Sequence, residues 1–250
     1  QLTMANKSSQ SPAFSPDGKW LAFISDRSDT RQLYRLSLDG GEAEALTSGT
    51  EGVTAFEWAP DGASIAYTMT DPVTPAMKER AEKYGEYTHE DHDARMAQLH
   101  LLDVATKATR PLTAGAFVVG AFDWSPDGGR IAFDHRVSSD AGMSGSADIS
   151  VVEVAGGAVT ALVTQAGPDS NPKWSPDGRR IAFQSAMAKP FYFFANGTVA
   201  VVNASGGTPE PLTARFDENP SLVAWTKAGI FFGASQRTWS YLYRLDPDSR

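Results

Sequence analysis

The chain has 250 residues, 41% of them hydrophobic and 21% charged, with a formal charge of −8 and no cysteine. A chain of this size buries roughly 70–75% of its unfolded surface and needs no disulfide or metal to hold a core. Thiol catalysis, Cys-based zinc sites and disulfide staples are excluded, and an acidic surface argues against nucleic acid or anionic lipid as partners, both of which require clustered Lys and Arg.

No apolar run approaches the ~20 residues of a bilayer-spanning helix. The opening QLTMANKSSQ lacks the basic and apolar blocks of a signal peptide. The compartment expected is the cytoplasm, with the periplasm as the alternative.

Taken in chain order, the elements repeat. FSPDGKWLAF from Phe14 returns as WAPDGASIAY from Trp58, WSPDGGRIAF from Trp124 and WSPDGRRIAF from Trp174, and a worn copy, AWTKAGIFFGAS, surrounds Trp225. The turn residues Asp17, Asp61, Asp127 and Asp177 are 44, 66 and 50 residues apart, in the range of a blade repeat carrying insertions. A second marker, Leu-Thr or a relative, closes each unit at Leu2-Thr3, Leu46-Thr47, Leu112-Thr113, Leu162-Val163-Thr164 and Leu212-Thr213.

Each unit reads as four short strands. The first ends on an aromatic, and the second carries Leu/Ile-Ala-Phe/Tyr. The third alternates (QLYRLSL, QLHLLDV, DISVVEV, TVAVVN, YLYRLD), and the fourth is the Leu-Thr segment. In Ser-Pro-Asp-Gly, proline presets φ near −65°, Asp suits the next place and Gly accepts φ > 0, so two strands reverse without strain. Four equivalent carboxylates in four equivalent turns are turn chemistry rather than ligands or catalytic acids.

Four-stranded units in series predict an all-β fold, a β-propeller with blade units at 4–47, 48–113, 114–164, 165–213 and an incomplete 214–250, residues 1–3 ending a preceding blade. The SPDG turns and the Gly-rich joints at Gly40-Gly41, Gly156-Gly157 and Gly206-Gly207 fall at one end of the strands. The links between strands two and three fall at the other end with the blade-to-blade links. The first set is monotonous and the second irregular, so function is expected at the irregular end.

Within the second unit, Thr74-Pro75 starts a short helix and Gly85 can stop it. Met77, Ala81 and Tyr84 share a face expected to pack on the blades. The following EYTHEDHDAR contains His89, Glu90, Asp91 and His92, whose spacing departs from the H-E-x-x-H of a zinc protease. A solvated charged loop is the plain reading.

Further on, Arg136 and Arg237 end the second strands of their units at the irregular end, where an Arg can grip a peptide carboxylate. Phe191, Tyr192, Phe193 and Phe194 cannot all be buried in a two-sided strand unless something covers its other face. A packed blade edge is one account; a docking or substrate-chamber wall is the other. The sequons at Asn6, Asn196 and Asn203 are read as chance.

The SPDG-x-x-IAF pattern resembles the propeller repeats of TolB and of the prolyl oligopeptidase family of serine peptidases. The segment from Thr70 to Thr113 is similar to the matching blade of bacterial acylaminoacyl-peptidase and dipeptidyl-peptidase members. The resemblance implies a propeller that caps an α/β-hydrolase domain, admits short peptides and adds substrate contacts. Glu86, Glu90 and Asp91 would then meet a substrate amino terminus, although the family's paired-Glu motif is not reproduced letter for letter. The implied partners are that hydrolase domain and a peptide substrate, with oligomerisation left open.

The family's propeller has seven blades, whereas about five units are present. The nucleophile elbow G-x-S-x-G is not found: Gly142-Met143-Ser144-Gly145-Ser146 places its second Gly one residue early. The expectation is therefore a propeller segment with no catalytic residue, no metal and no cofactor, inactive alone. A closed five-bladed ring is the competing geometry, and a TolB-like interaction propeller the competing function.

Overall fold

The computed structural model describes residues 7–85, 95–189 and 191–248. Among these residues every sheet is antiparallel with strands in sequence order, and the chain forms two compact units, 1–117 with 138–140 and 118–137 with 141–250. The fold is all-β, a β-propeller, with one short helix in its second blade.

In the first unit, β1 (Ser9–Phe14), β2 (Trp20–Ser28), β3 (Thr30–Ser37) and β4 (Glu44–Ala45) form one sheet. β5 (Val53–Trp58), β6 (Ser64–Thr70), β7 (Ala97–Asp103) and β8 (Thr109–Pro111) form the next, with α1 (Pro75–Tyr84) between β6 and β7. Ala22, Ile24, Leu33 and Leu46 of the first sheet pack on Val53, Trp58, Ile65 and Tyr67 of the second. The Trp58 indole N–H donates to the Ala13 carbonyl (3.3 Å).

The helix begins where its capping residues require, Thr74 Oγ1 accepting from the Met77 N–H (3.3 Å), and it stops at Gly85 with φ 85°. Its expected packing face is not buried. No residue of α1 is buried, and Tyr84 stands 64% exposed. Ten residues carrying three lysines or arginines and two glutamates hold too little apolar surface to seat the helix.

In the second unit, β9 (Val118–Trp124), β10 (Arg130–Arg136), β11 (Asp148–Glu153) and β12 (Val159–Val163) form a sheet. So do β13 (Asp169–Trp174), β14 (Arg180–Ser185), β15 (Thr198–Asn203) and β16 (Glu210–Pro211). Among the described residues the fifth sheet has three strands, β17 (Ser221–Thr226), β18 (Gly229–Gln236) and β19 (Trp239–Leu245).

Period-2 alternation decides what each blade shows its neighbours. Ile181 and Phe183 pack with Ile149, Val151 and Val163 of the preceding blade, while Ala182 between them meets Leu222, Ile230 and Phe232 of the following one. The small residue in Ile-Ala-Phe is what lets the next sheet approach. Each fully buried Ile or Phe contributes roughly 1.5–3 kcal/mol. Arg130 lies over the Trp174 ring (4.8 Å) and Arg180 over Trp225 (5.2 Å), so the residue after a turn covers the next blade's aromatic.

The repeated turn closes as the sequence implies. Gly18, Gly128 and Gly178 take φ of 69–70°, and each donates its N–H to the serine carbonyl three residues back at 2.9 Å. Asp17, Asp127 and Asp177 accept from that serine's hydroxyl (2.6, 2.5 and 2.6 Å) and from the backbone N–H two residues on. The serine hydroxyl, and then the backbone donor, hold all three carboxyls below the ordinary carboxylate range. In the second blade Ala59 replaces the serine, and Asp61 accepts from the Ala63 N–H (2.9 Å).

The Leu-Thr marker has a physical cause as well. Thr47 Oγ1 donates to Gln32 Oε1 (2.8 Å) and accepts from the Leu33 N–H (2.9 Å), while Gln32 Nε2 donates to the carbonyls of Gly49 (3.3 Å) and Glu51 (3.0 Å). Gln98 and Thr113 repeat the arrangement with the Gly115 and Phe117 carbonyls. Strand four and the link after it are thereby clasped to the start of strand three. The role of Gln32 and Gln98 is not foreseen from the repeat, although both open their strands at the same place.

Candidate functional site

The irregular end departs from the repeat where the third blade meets the fourth. Asp148 stands where Gln32 and Gln98 stand in the earlier blades, opposite His135 across the β10–β11 ladder. His135 Nε2 is 2.7 Å from the Ser150 hydroxyl. Serine, histidine and aspartate on adjoining strands imitate a nucleophile and its base. Ser150 is 2% exposed, however, so no carbonyl can reach it, and the trio is an internal polar contact. Burial pushes His135 below its ordinary value against the pull of Asp148, and pushes Asp148 up.

Beside them lies Asp169, fully buried at the start of β13. Its Oδ1 accepts from Gln165 Nε2 (2.9 Å), and its N–H donates to the Ala147 carbonyl (2.7 Å). Its Oδ2 is sealed from solvent without a hydrogen-bond partner among the described residues. Burial lifts this carboxyl to about 6; hydrogen bonds from Ser185 and Gln165 oppose the rise, and Asp148 adds to it.

Two other carboxylates tie the third blade to the fourth. Asp123 accepts from Lys173 Nζ (3.1 Å) and the Trp174 N–H (2.7 Å); Asp134 accepts from the N–H groups of Asn171 (2.8 Å) and Ala121 (3.2 Å). Burial raises both carboxyls despite these donors.

From β14 to β15 the chain makes a detour of a dozen residues. Met187 and Ala188 take positive φ, a 3-10 turn covers Tyr192–Phe194, and Phe191, Phe193 and Phe194 project 74%, 75% and 90% exposed. The run is thus neither a strand nor a packed blade edge: the turn breaks the alternation that would have buried alternate rings. Tyr192 alone turns inward, against Gly145 and Gly167, which leave room for its ring.

Between this detour and the link into the fifth blade opens a cavity of about 220 Å³. Ser170, Gln184, Lys189, Tyr192, Asn196 and Asn219 supply its side chains with polar groups or a ring edge.

The residues singled out from sequence are scattered. Arg136 ends β10, half-buried, opposite Val118 and close enough to Asp134 to favour its charge. Arg237 is exposed in the β18–β19 turn with φ 56°, in another sheet, and no hydrogen bond or ion pair among the described residues joins the two. Glu86, Glu90 and Asp91, like His89 and His92, lie outside the described residues. Among the described residues no three His, Asp or Glu side chains are placed to share a metal ion.

Tyr192 of the aromatic run lines this cavity, and Gln184, Lys189 and Asn219 join it there unforeseen. The sequence signal for Gln184 is its place directly after Ile-Ala-Phe, where the other copies carry Ile, Thr or Asp.

No family model matches the chain. It is 32% identical to the uncharacterized peptidase YuxL of Bacillus subtilis (strain 168) over 166 residues, 60% of this chain and 25% of YuxL. The acylaminoacyl peptidase of Pyrococcus horikoshii superposes with a TM-score of 0.70 at 15% identity, over 95% of this chain and 37% of that one. A putative TolB from Agrobacterium tumefaciens superposes with a TM-score of 0.63 at 23% identity, over 98% of this chain and 80% of that one. The chain spans a quarter of the length of its curated peptidase relative. Its blades are those of a β-propeller similar to the propellers of acylaminoacyl peptidases and TolB.

Proposed function

We propose that this chain is the propeller portion of a serine peptidase of acylaminoacyl-peptidase or dipeptidyl-peptidase type. In this reading it caps the active site of an α/β-hydrolase domain in the same polypeptide and restricts substrates to short peptides. The observation that carries it is the exposed aromatic trio Phe191, Phe193 and Phe194, flanking Tyr192, which lines the cavity. Three phenylalanines facing water in one turn favour contact with another apolar surface. The match to a peptidase four times as long as the matched region supports the same reading.

The propeller contributes shape, apolar contact and polar binding groups; the nucleophile, base and oxyanion donors belong to the hydrolase domain. Within the propeller, the buried Ser150–His135 pair has no role in bond cleavage. The test is hydrolysis of a chromogenic peptide or acyl-amino acid amide. The 250-residue chain alone is expected to be inactive. The parent polypeptide is expected to cleave short peptides and to spare the same sequence inside a folded protein. Cleavage by the isolated chain, or equal cleavage of both substrates by the parent, overturns the reading.

A second reading, a TolB-like propeller that binds protein partners, draws on the coverage of 80% of the putative TolB chain. It predicts a parent polypeptide without peptidase activity.

A further inference from the structure

The cavity between the β14–β15 detour and the link into β17 has an uneven chemistry. Gln184 Oε1 accepts from the Leu222 N–H (3.0 Å) and from Asn171 Nδ2 (3.1 Å), and Asn171 Nδ2 also donates to the Leu222 carbonyl (2.7 Å). A backbone N–H can only donate, so the atom facing Leu222 is the amide oxygen, and the Gln184 NH₂ is turned the other way. That nitrogen has no hydrogen-bond partner among the described residues, nor is it a sealed atom, and its side chain lines the cavity.

Asn219, which also lines the cavity, repeats the device. Its Oδ1 accepts from the Gly197 N–H (2.8 Å), which fixes its orientation by the same rule and leaves its NH₂ without a partner among the described residues. Lys189 Nζ makes a single bond, to the Asn196 carbonyl (3.3 Å), and no carboxylate of the described residues lies within ion-pair distance of it. Asp169, whose neighbours Pro168 and Ser170 line the cavity, directs its bonded oxygen to Gln165 instead.

Two oriented amide donors and an unneutralised ammonium thus belong to side chains that line one cavity, while the matching amide oxygens are held by the fold. Such a set suits a group that only accepts hydrogen bonds and carries negative charge. We propose that this cavity is a carboxylate-binding site, with Gln184 Nε2, Asn219 Nδ2 and the Lys189 ammonium as its donors and the Tyr192 ring as one wall.

A cavity of about 220 Å³ takes one carboxylate-bearing residue rather than an extended chain. In a peptide that residue is the C-terminal one. Naming the peptide rests on the function proposed above; the carboxylate assignment does not.

The test is a titration of the ¹⁵N-labelled 250-residue chain followed through the side-chain NH₂ resonances of Gln184 and Asn219. The probes are N-acetyl-Ala-Ala as the free acid, the same dipeptide as its C-terminal amide, and glucuronate. The free acid is expected to shift both NH₂ pairs saturably, and the amide to bind about tenfold more weakly or worse, having lost the charge that strengthens each bond.

Gln184→Glu and Asn219→Asp keep the oxygen that Leu222 and Gly197 need and replace only the donor. Each is expected to weaken the acid about tenfold with backbone resonances otherwise in place, because like charges then meet in the cavity. Lys189→Gln is expected to weaken it about threefold, as befits an exposed charge.

Saturable shifts with glucuronate but none with the dipeptide acid would keep the carboxylate site and overturn the peptide assignment. Equal binding of acid and amide, no saturable shift with any probe, or unchanged affinity in both donor-to-oxygen variants would overturn the proposal.

Discussion

The two ends of the third and fourth blades use the same residue types to opposite effect. At the turn end, Asp127 takes the Ser125 hydroxyl and the Gly129 N–H, lies near solvent and has its acidity strengthened. At the other end, Asp169 is fully buried with one oxygen unpartnered and its acidity weakened. A carboxylate whose bonds are all local and repeated builds the fold. Departures from the repeat collect where blades three, four and five are linked, and there donors and aromatic rings are left facing outward.

The comparison is broken most severely by removing the core that both ends share. Phe183→Ala, at a fully buried position, is expected to cost about 3–5 kcal/mol in denaturant unfolding. A loss below that of an exposed site would mean the blades do not pack through this ring.

Next in size is the turn. Asp127→Ala is expected to cost about 1–2 kcal/mol, since it strands a hydroxyl and a backbone N–H. The same change at Asp61, where Ala59 offers no hydroxyl, is expected to cost less. Equal losses would contradict the assignment of the serine.

The pH dependence sharpens the contrast further. Asp127 has a folded pKa below the reference 3.8, so its stabilisation is present above that value and is lost as pH falls through the lowered one. Asp169 has a folded pKa of about 6 against 3.8, so the native state binds its proton more tightly. Its contribution is full below 3.8 and is lost as pH rises through about 6. Asp169→Asn, neutral throughout, is expected to melt higher than the parent chain at pH 8 and to lose the decline between about pH 4 and 6. Parallel melting curves across that range would contradict the burial argument.

Much of the fold was legible because each repeated signal has one cause. Pro-Asp-Gly fixes a turn, Ile-Ala-Phe alternation fixes two faces, and Thr74-Pro75 with Gly85 fixes a helix at both ends. The sequence overstated the helix face, since Met77 and Ala81 are only half-buried and Tyr84 is exposed.

The site was legible only in part. Phe191–Phe194 announced themselves by a run that no two-sided strand can bury. Gln184 and Asn219 did not, because their meaning lies in which amide atom is held by a backbone N–H thirty-eight or twenty-two residues away. Composition and spacing carry no trace of that orientation.

The smallest effect on stability bears most directly on the central claim, that the irregular end of the fourth blade is a recognition surface. Phe191→Ser with Phe193→Ser is expected to leave unfolding within about 0.5 kcal/mol, both rings being solvent-facing. In a polypeptide carrying the hydrolase domain proposed above, the pair is expected to lower kcat/KM for short peptides several-fold, about 1 kcal/mol of transition-state binding. Unchanged kinetics together with unchanged stability would contradict the account.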